Sequence, residues 1–166
     1  NLAGAVVGGI LLGLIEAKRE GRLRRDTRFF IISHLGDRLA RTIEFLREQP
    51  DLHDSTWVLG IHSVSDQQID HMCPTIRAGM GNDSHDAGWI TRPMEDKRAE
   101  SLTWLADHLE TLSEVDFIGG FAVGLLDAFR ADPAHVREAL DTAHSKGART
   151  VRLVDTAGTC TPRQVE

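Results

Sequence analysis

Val151-Arg152-Leu153-Val154-Asp155-Thr156-Ala157-Gly158-Thr159-Cys160-Thr161-Pro162-Arg163-Gln164-Val165 is the stretch on which the fold turns. Three of its first four residues are Val or Leu, and they read as a strand buried in a parallel sheet. Asp155-Thr156-Ala157-Gly158 then breaks the run with turn-forming residues. Thr161-Pro162 reads as the cap and first turn of a helix. A strand that leaves through a polar turn into a helix is one step of a βα repeat.

The same alternation runs back through the chain. Asp132-Pro133 predicts a helix to Ser145, stopped at Gly147, before a last strand over Thr150 to Asp155. Val115 to Val123 reads as a glycine-broken strand. Pro93 opens a helix through Glu110 with the stripe Leu102, Leu105, Leu109 and Leu112. Gly79 to Thr91 reads as a loop. Ser65 caps a helical segment after the buried strand Thr56 to His62. Gly36 to Glu48 is an amphipathic helix with Leu39, Ile43 and Leu46 on one face, closed by Pro50, and Arg28 to Ser33 is a further strand. Residues 3–20 read as a helix ending near Gly21. This predicts one α/β domain over residues 1–166, with a parallel sheet and no internal repeat or linker.

Composition narrows the function classes. The chain has 166 residues, a net charge of −6, 41% hydrophobic and 27% charged residues, which is a globular and mildly acidic composition. No basic patch interleaved with aromatics points to nucleic acid; Lys18-Arg19, Arg22 and Arg24-Arg25 read as a solvated helix end. Leu2 to Ile15 is an apolar, glycine-rich run shorter than the roughly 20 residues a membrane helix needs. It reads as a buried helix, with a truncated span as the alternative. Cys73 and Cys160 stand far apart and outside metal-ligand spacing, so both are expected to be reduced thiols in a cytoplasmic protein. Cys160 sits in the motif loop, where a reactive role is the sharper alternative.

In parallel α/β folds chemistry gathers at the carboxyl ends of strands. Those ends offer Ser33 and His34, His62 and Ser63, Gly124 to Asp127, and Asp155 and Thr156. The segment Leu153-Val154-Asp155-Thr156-Ala157-Gly158 is similar to the switch segment of small GTPases. No Gly-Lys-Ser or Gly-Lys-Thr occurs to cradle phosphates, so that reading fails. The longer order Asp127-Ala128-Phe129-Arg130, helix, strand, then Asp-Thr-x-Gly-x-x-Thr-Pro resembles the DRE-TIM metallolyase family, and the Phe-Arg and Thr-Pro-Arg-Gln-Val details resemble homocitrate synthases. The resemblance covers residues 28–166 and is specific over 127–165; residues 1–27 do not align.

That resemblance implies a (β/α)8 TIM barrel built of parallel βα units. Such a barrel takes roughly 250 residues, so it is expected to be incomplete in this chain. It implies a synthase or lyase that makes or breaks a carbon–carbon bond between an acyl-CoA, such as acetyl-CoA, and a 2-oxo acid in amino-acid biosynthesis. A divalent metal (Mg, Mn or Zn) would serve as Lewis acid. Carried over residue by residue, Thr156 donates to the 2-oxo acid carboxylate, with Asp155 and Gly158 shaping the turn around it. Asp127 and Arg130 hold one another at a strand end, and His62 contacts substrate or pairs with His34 on a metal. The plainer alternatives are a tight turn, a surface ion pair and a satisfied structural histidine. The remaining histidines, His71, His108, His135 and His144, read as helix-surface residues.

The chain also departs from the family. Leu126 stands where the family has a glutamate before Asp127, and Gly119 to Val123 lacks the family's substrate-binding arginine. No metal-ligand motif of the family is matched, and no residue is identified as the general base. Asn82 to Gly88 reads as a polar loop, with Asp83, His85 and Asp86 as an alternative weak metal site. A non-catalytic α/β binding module derived from the same fold is therefore the second reading. The exposed strand edges of an open half-barrel predict a homo-oligomer.

Overall fold

The computed structural model describes residues 13–24, 26–34, 37–70, 89, 91–116 and 118–161. Among these residues four strands form one sheet: β1 (Phe29–His34), β2 (Thr56–Ser63), β3 (Gly120–Leu126) and β4 (Thr150–Val154). Each pairs in parallel with its predecessor, so the spatial order is β1-β2-β3-β4, the order of the chain. Between them run helices α1 (Asp37–Arg47), α2 (Met94–Ser113) and α3 (Pro133–Ser145). Shorter helical runs occupy 13–19 and 66–70. The protein is thus an α/β protein with a four-stranded parallel sheet, as its apolar strands and interleaved amphipathic helices predict.

Side-chain parity shows where the core sits. The register aligns Ile31, Val58 and Phe121 in one row, Val123 beside Val151, and Leu125 beside Leu153. Phe29, Val58, Phe121, Val123 and Leu125 pack with Leu39, Ile43 and Leu46 of α1, Leu105, Leu109 and Leu112 of α2, and Val136, Ala139 and Ala143 of α3. Every strand residue in that core has the same parity, so all three helices cover one face. Each of the larger side chains buried there contributes about 2 kcal/mol relative to exposure. On the opposite face Phe30 and Ile32 are 53% and 65% exposed, and Trp57, Leu59, Ile61 and Leu126 are half-buried.

The helix expected from Asp132-Pro133 spans Pro133–Ser145, with the Asp132 carboxylate accepting the Ala134 N–H at 2.8 Å and Gly147 at φ +87° beyond its end. The strand expected at Val115 to Val123 instead runs Gly120–Leu126. The close approach at its start requires glycine. A Cβ on Gly119 would lie 2.4 Å from the Asp54 carbonyl oxygen and 2.9 Å from Trp57 Nε1, and Gly120 sits at φ +150°; the Gly119 N–H donates to the Thr56 carbonyl at 2.9 Å as the chain enters β3. The helix after Pro93 continues past Glu110 to Ser113. Within the segment expected to be a loop, Trp89 and Thr91 are helical, and Trp89 is buried against Trp104; residues 79–88 lie outside the described residues. Among the described residues no helix is long and apolar enough to cross a membrane; most of the apolar run at 2–15 lies outside them.

Candidate functional site at the strand exits

Asp127 follows β3 at φ +62°, a left-handed conformation that aspartate tolerates better than most residues. That turn folds its carboxylate back into the protein, where the side chain is 1% exposed. Both oxygens are occupied. Arg130 Nε donates to Oδ1 at 2.7 Å and Nη2 to Oδ2 at 2.6 Å, and the Ser65 hydroxyl donates to Oδ2 at 2.5 Å. Bidentate pairing of this kind is among the stronger polar contacts in proteins. The Arg130 guanidinium, followed by the Ser65 hydroxyl, holds the Asp127 carboxyl below the usual carboxylate range. Arg130 is raised in turn by Asp127, and its Nη1 donates to Gln67 Oε1 at 3.2 Å.

One residue thereby ties three strand exits together. Ser65, beyond β2, bonds to Asp127 while receiving the Gln68 N–H at 3.4 Å at the start of the 66–70 helical run. The backbone N–H of Asp127 donates to Thr156 Oγ1 at 3.0 Å, beyond β4. The Ala128 N–H reaches the Val154 carbonyl at 3.2 Å. Thr156 is exposed, and its hydroxyl accepts from Asp127 while using its own proton in no hydrogen bond among the described residues. A hydroxyl that already accepts is a better donor. It therefore has a proton to present to an incoming acceptor.

Asp155 shapes the turn under Thr156. Its carboxylate accepts the Thr159 N–H at 3.0 Å and the Cys160 N–H at 2.7 Å, and its carbonyl accepts the Gly158 N–H at 3.3 Å. These donors, Cys160 first, lower its pKa. Gly158 has φ +65° with nothing within 4 Å of a would-be Cβ, so conformation and not space calls for glycine there. Cys160 is not an activated thiol: burial and then the Asp155 charge push its pKa up.

Thr156, Asp155, Gly158, Asp127 and Arg130 therefore come together, and His62 does not join them. His62 lies on the helix-covered face, buried, with Nε2 3.0 Å from the Ser101 hydroxyl of α2. Burial, then His135 and His108, lowers its pKa to about 3. His135 is not a surface residue either; it is 3% exposed, with neither ring nitrogen hydrogen-bonded among the described residues. His108 is half-buried, whereas His144 is exposed. The side chains of Ser33 and His34, and His71, Cys73, Asp83, His85 and Asp86, lie outside the described residues. Ser65 and Gln67 are members of the cluster that motif reading missed. Their only signal was position, one at the cap and one in the first turn after β2.

No family model and no curated protein matches the sequence. The donor set at the strand exits can be tested directly for the divalent metal that the resemblance implies, and it does not fit. Asp127 spends both oxygens on Arg130 and Ser65, and Asp155 spends both on backbone N–H groups. Among the described residues no group of three or more His, Cys, Asp or Glu is arranged to hold a metal ion. What the arrangement offers an incoming acceptor is the Thr156 hydroxyl, exposed at the rim and held by the Asp127 N–H.

Proposed function

We propose that these βα units belong to a (β/α)8 barrel of the DRE-TIM metallolyase kind, and that the protein makes or breaks a carbon–carbon bond between an acyl-CoA and a 2-oxo acid. Thr156 is the residue that holds the 2-oxo acid carboxylate. The observation that carries this reading is the Thr156 hydroxyl itself: exposed at a strand exit, fixed by the Asp127 N–H at 3.0 Å, and left with its proton to give. The unbroken parallel order of the strands and the one-sided placement of the helices support the barrel, since both are what an arc of that fold requires. Asp127 and Arg130 act as positioning residues that hold the exits of β2, β3 and β4 in one arrangement. No step is assigned to a metal.

The second reading is a non-catalytic binding module of the same fold, favoured by the full occupation of both rim carboxylates. Calorimetric titration with 2-oxobutyrate, with and without manganese, separates the two. Binding is expected, weakened about tenfold or more in Thr156→Ala and retained in Thr156→Ser, because one hydrogen bond to a charged group contributes roughly 1.5–3 kcal/mol. Heat from neither ligand would establish the binding-module reading in its place.

A further inference from the structure

The amino-terminal halves of α2 and α3 meet at a cleft of about 410 Å³, lined by Glu95, Arg98 and Leu102 on one side and by Asp132, His135 and Glu138 on the other. His135 is the third residue of α3. It is buried, and neither ring nitrogen has a hydrogen bond among the described residues. A buried polar group without a partner is a net cost to the fold, so packing alone gives no reason for a histidine there.

The setting opposes a charge on this ring. Burial comes first and the Arg98 guanidinium next. The first turn of a helix also disfavours a cation, because its free N–H groups carry partial positive charge. His62 of β2, within electrostatic reach, is itself buried with Nε2 3.0 Å from the Ser101 hydroxyl of α2. Glu138, Asp66 and Asp132 pull the other way, and Glu95 lies across the cleft. Asp66 and Asp132, however, are already engaged by Arg98. That clasp reaches the rim. Asp66 is next in sequence to Ser65, the donor to Asp127, and Asp132 is two residues beyond Arg130. The carboxyl-terminal halves of the two helices are held separately, by Leu105, Leu109, Leu112, Ala139 and Ala143 in the core and by Lys146 on Glu110 at 2.8 Å.

We propose that His135 makes this cleft an acid-responsive latch: protonation drives its imidazole out from between the helices, parts the amino-terminal halves of α2 and α3, and so loosens the Ser65–Asp127 and Asp127–Thr156 bonds of the rim. The open cleft gives the ring to water, where its ordinary value of 6.5 applies, whereas the closed cleft refuses the proton. Opening therefore gains as pH falls below 6.5, by up to about tenfold per pH unit for one histidine.

Native-state hydrogen exchange on the whole chain at pH 7 and pH 5, corrected for the intrinsic pH dependence of exchange, tests this. Amides at 98–102 and 136–139 and the Asp127 amide are expected to lose about tenfold or more of their protection, and at pH 5 to exchange ahead of the amides of β2 and β3. His135→Leu is expected to abolish that loss. Cleft and strand amides that exchange together at pH 5 would overturn the latch, because only global unfolding would then be at work. An equal loss in His135→Leu would overturn it too. A third readout needs no variant: a wild-type His135 ring that titrates near pH 6.5 by NMR, while those amides keep their protection, would also overturn it.

Discussion

Asp127 and His62 lie near each other along the sheet edge yet belong to different worlds, one wired to the rim and the other sealed beneath the helices. His62 has the sharper consequence in solution. Its folded pKa of about 3 lies below the ordinary value of 6.5, so between those limits the unfolded chain takes up a proton that the folded one refuses. The stability it protects is complete above about pH 6.5 and drains away as pH falls toward 3. Denaturant titrations at several pH values should give a His62→Gln variant whose stability falls less steeply between pH 6.5 and 4, by roughly 1 kcal/mol per pH unit. Parallel curves for variant and wild type would remove His62 as the responsible group. The spacing of Asp127, Arg130 and Thr156 was readable because these residues are close in sequence to strand ends. The face His62 occupies was also in principle readable, since it shares parity with Val58. What the sequence hid was the partner: Ser101 comes from a helix far along the chain.

Among the elements, the helices were read best. Asp132, Pro133 and Gly147 mark α3 with local signals that need no tertiary contact, and the observed bounds follow them. β3 was misplaced because its start depends on a neighbour. Gly119 is held against Asp54 and Trp57, residues of the preceding unit, and no local pattern announces that. Gly119→Ala is expected to destabilise the protein by about 2 kcal/mol, as overpacked sites do, through displacement of the Asp54 backbone. The readout is the denaturant midpoint; an unchanged midpoint would mean that the approach to β3 yields freely. The linkage between elements was equally invisible. Arg98 of α2 forms a two-pronged pair with Asp66 in the 66–70 helical run and a third bond to Asp132, the cap of α3. Three carboxylate contacts of 2.7–2.8 Å thus fasten consecutive βα units to each other on the outside, as Asp127 does at the rim.

For the molecule as a whole, the contrast between the two sheet faces decides its behaviour. One is closed by helices; the other shows Phe30 and Ile32 more than half exposed on β1, the outermost strand among the described residues. Exposed apolar surface beside an open strand edge promotes association. The protein is expected to self-associate, and Ile32→Lys, which removes apolar surface without touching the helix-side core, should shift it toward monomer in sedimentation velocity. A wild-type protein that sediments as a monomer at high concentration would contradict this. The α/β class and the parallel sheet were legible from alternation alone, because periodicity reports burial. Which face stays open was not, because the same half-apolar strands serve a covered sheet or an open one. The strand order has a consequence for how the chain is born. Each strand pairs with the one made just before it, so during synthesis every new strand emerges to find its partner already laid down. Among the described residues no strand must wait for a later one to slip between itself and its neighbour, and this sheet can be assembled in the order in which it is translated.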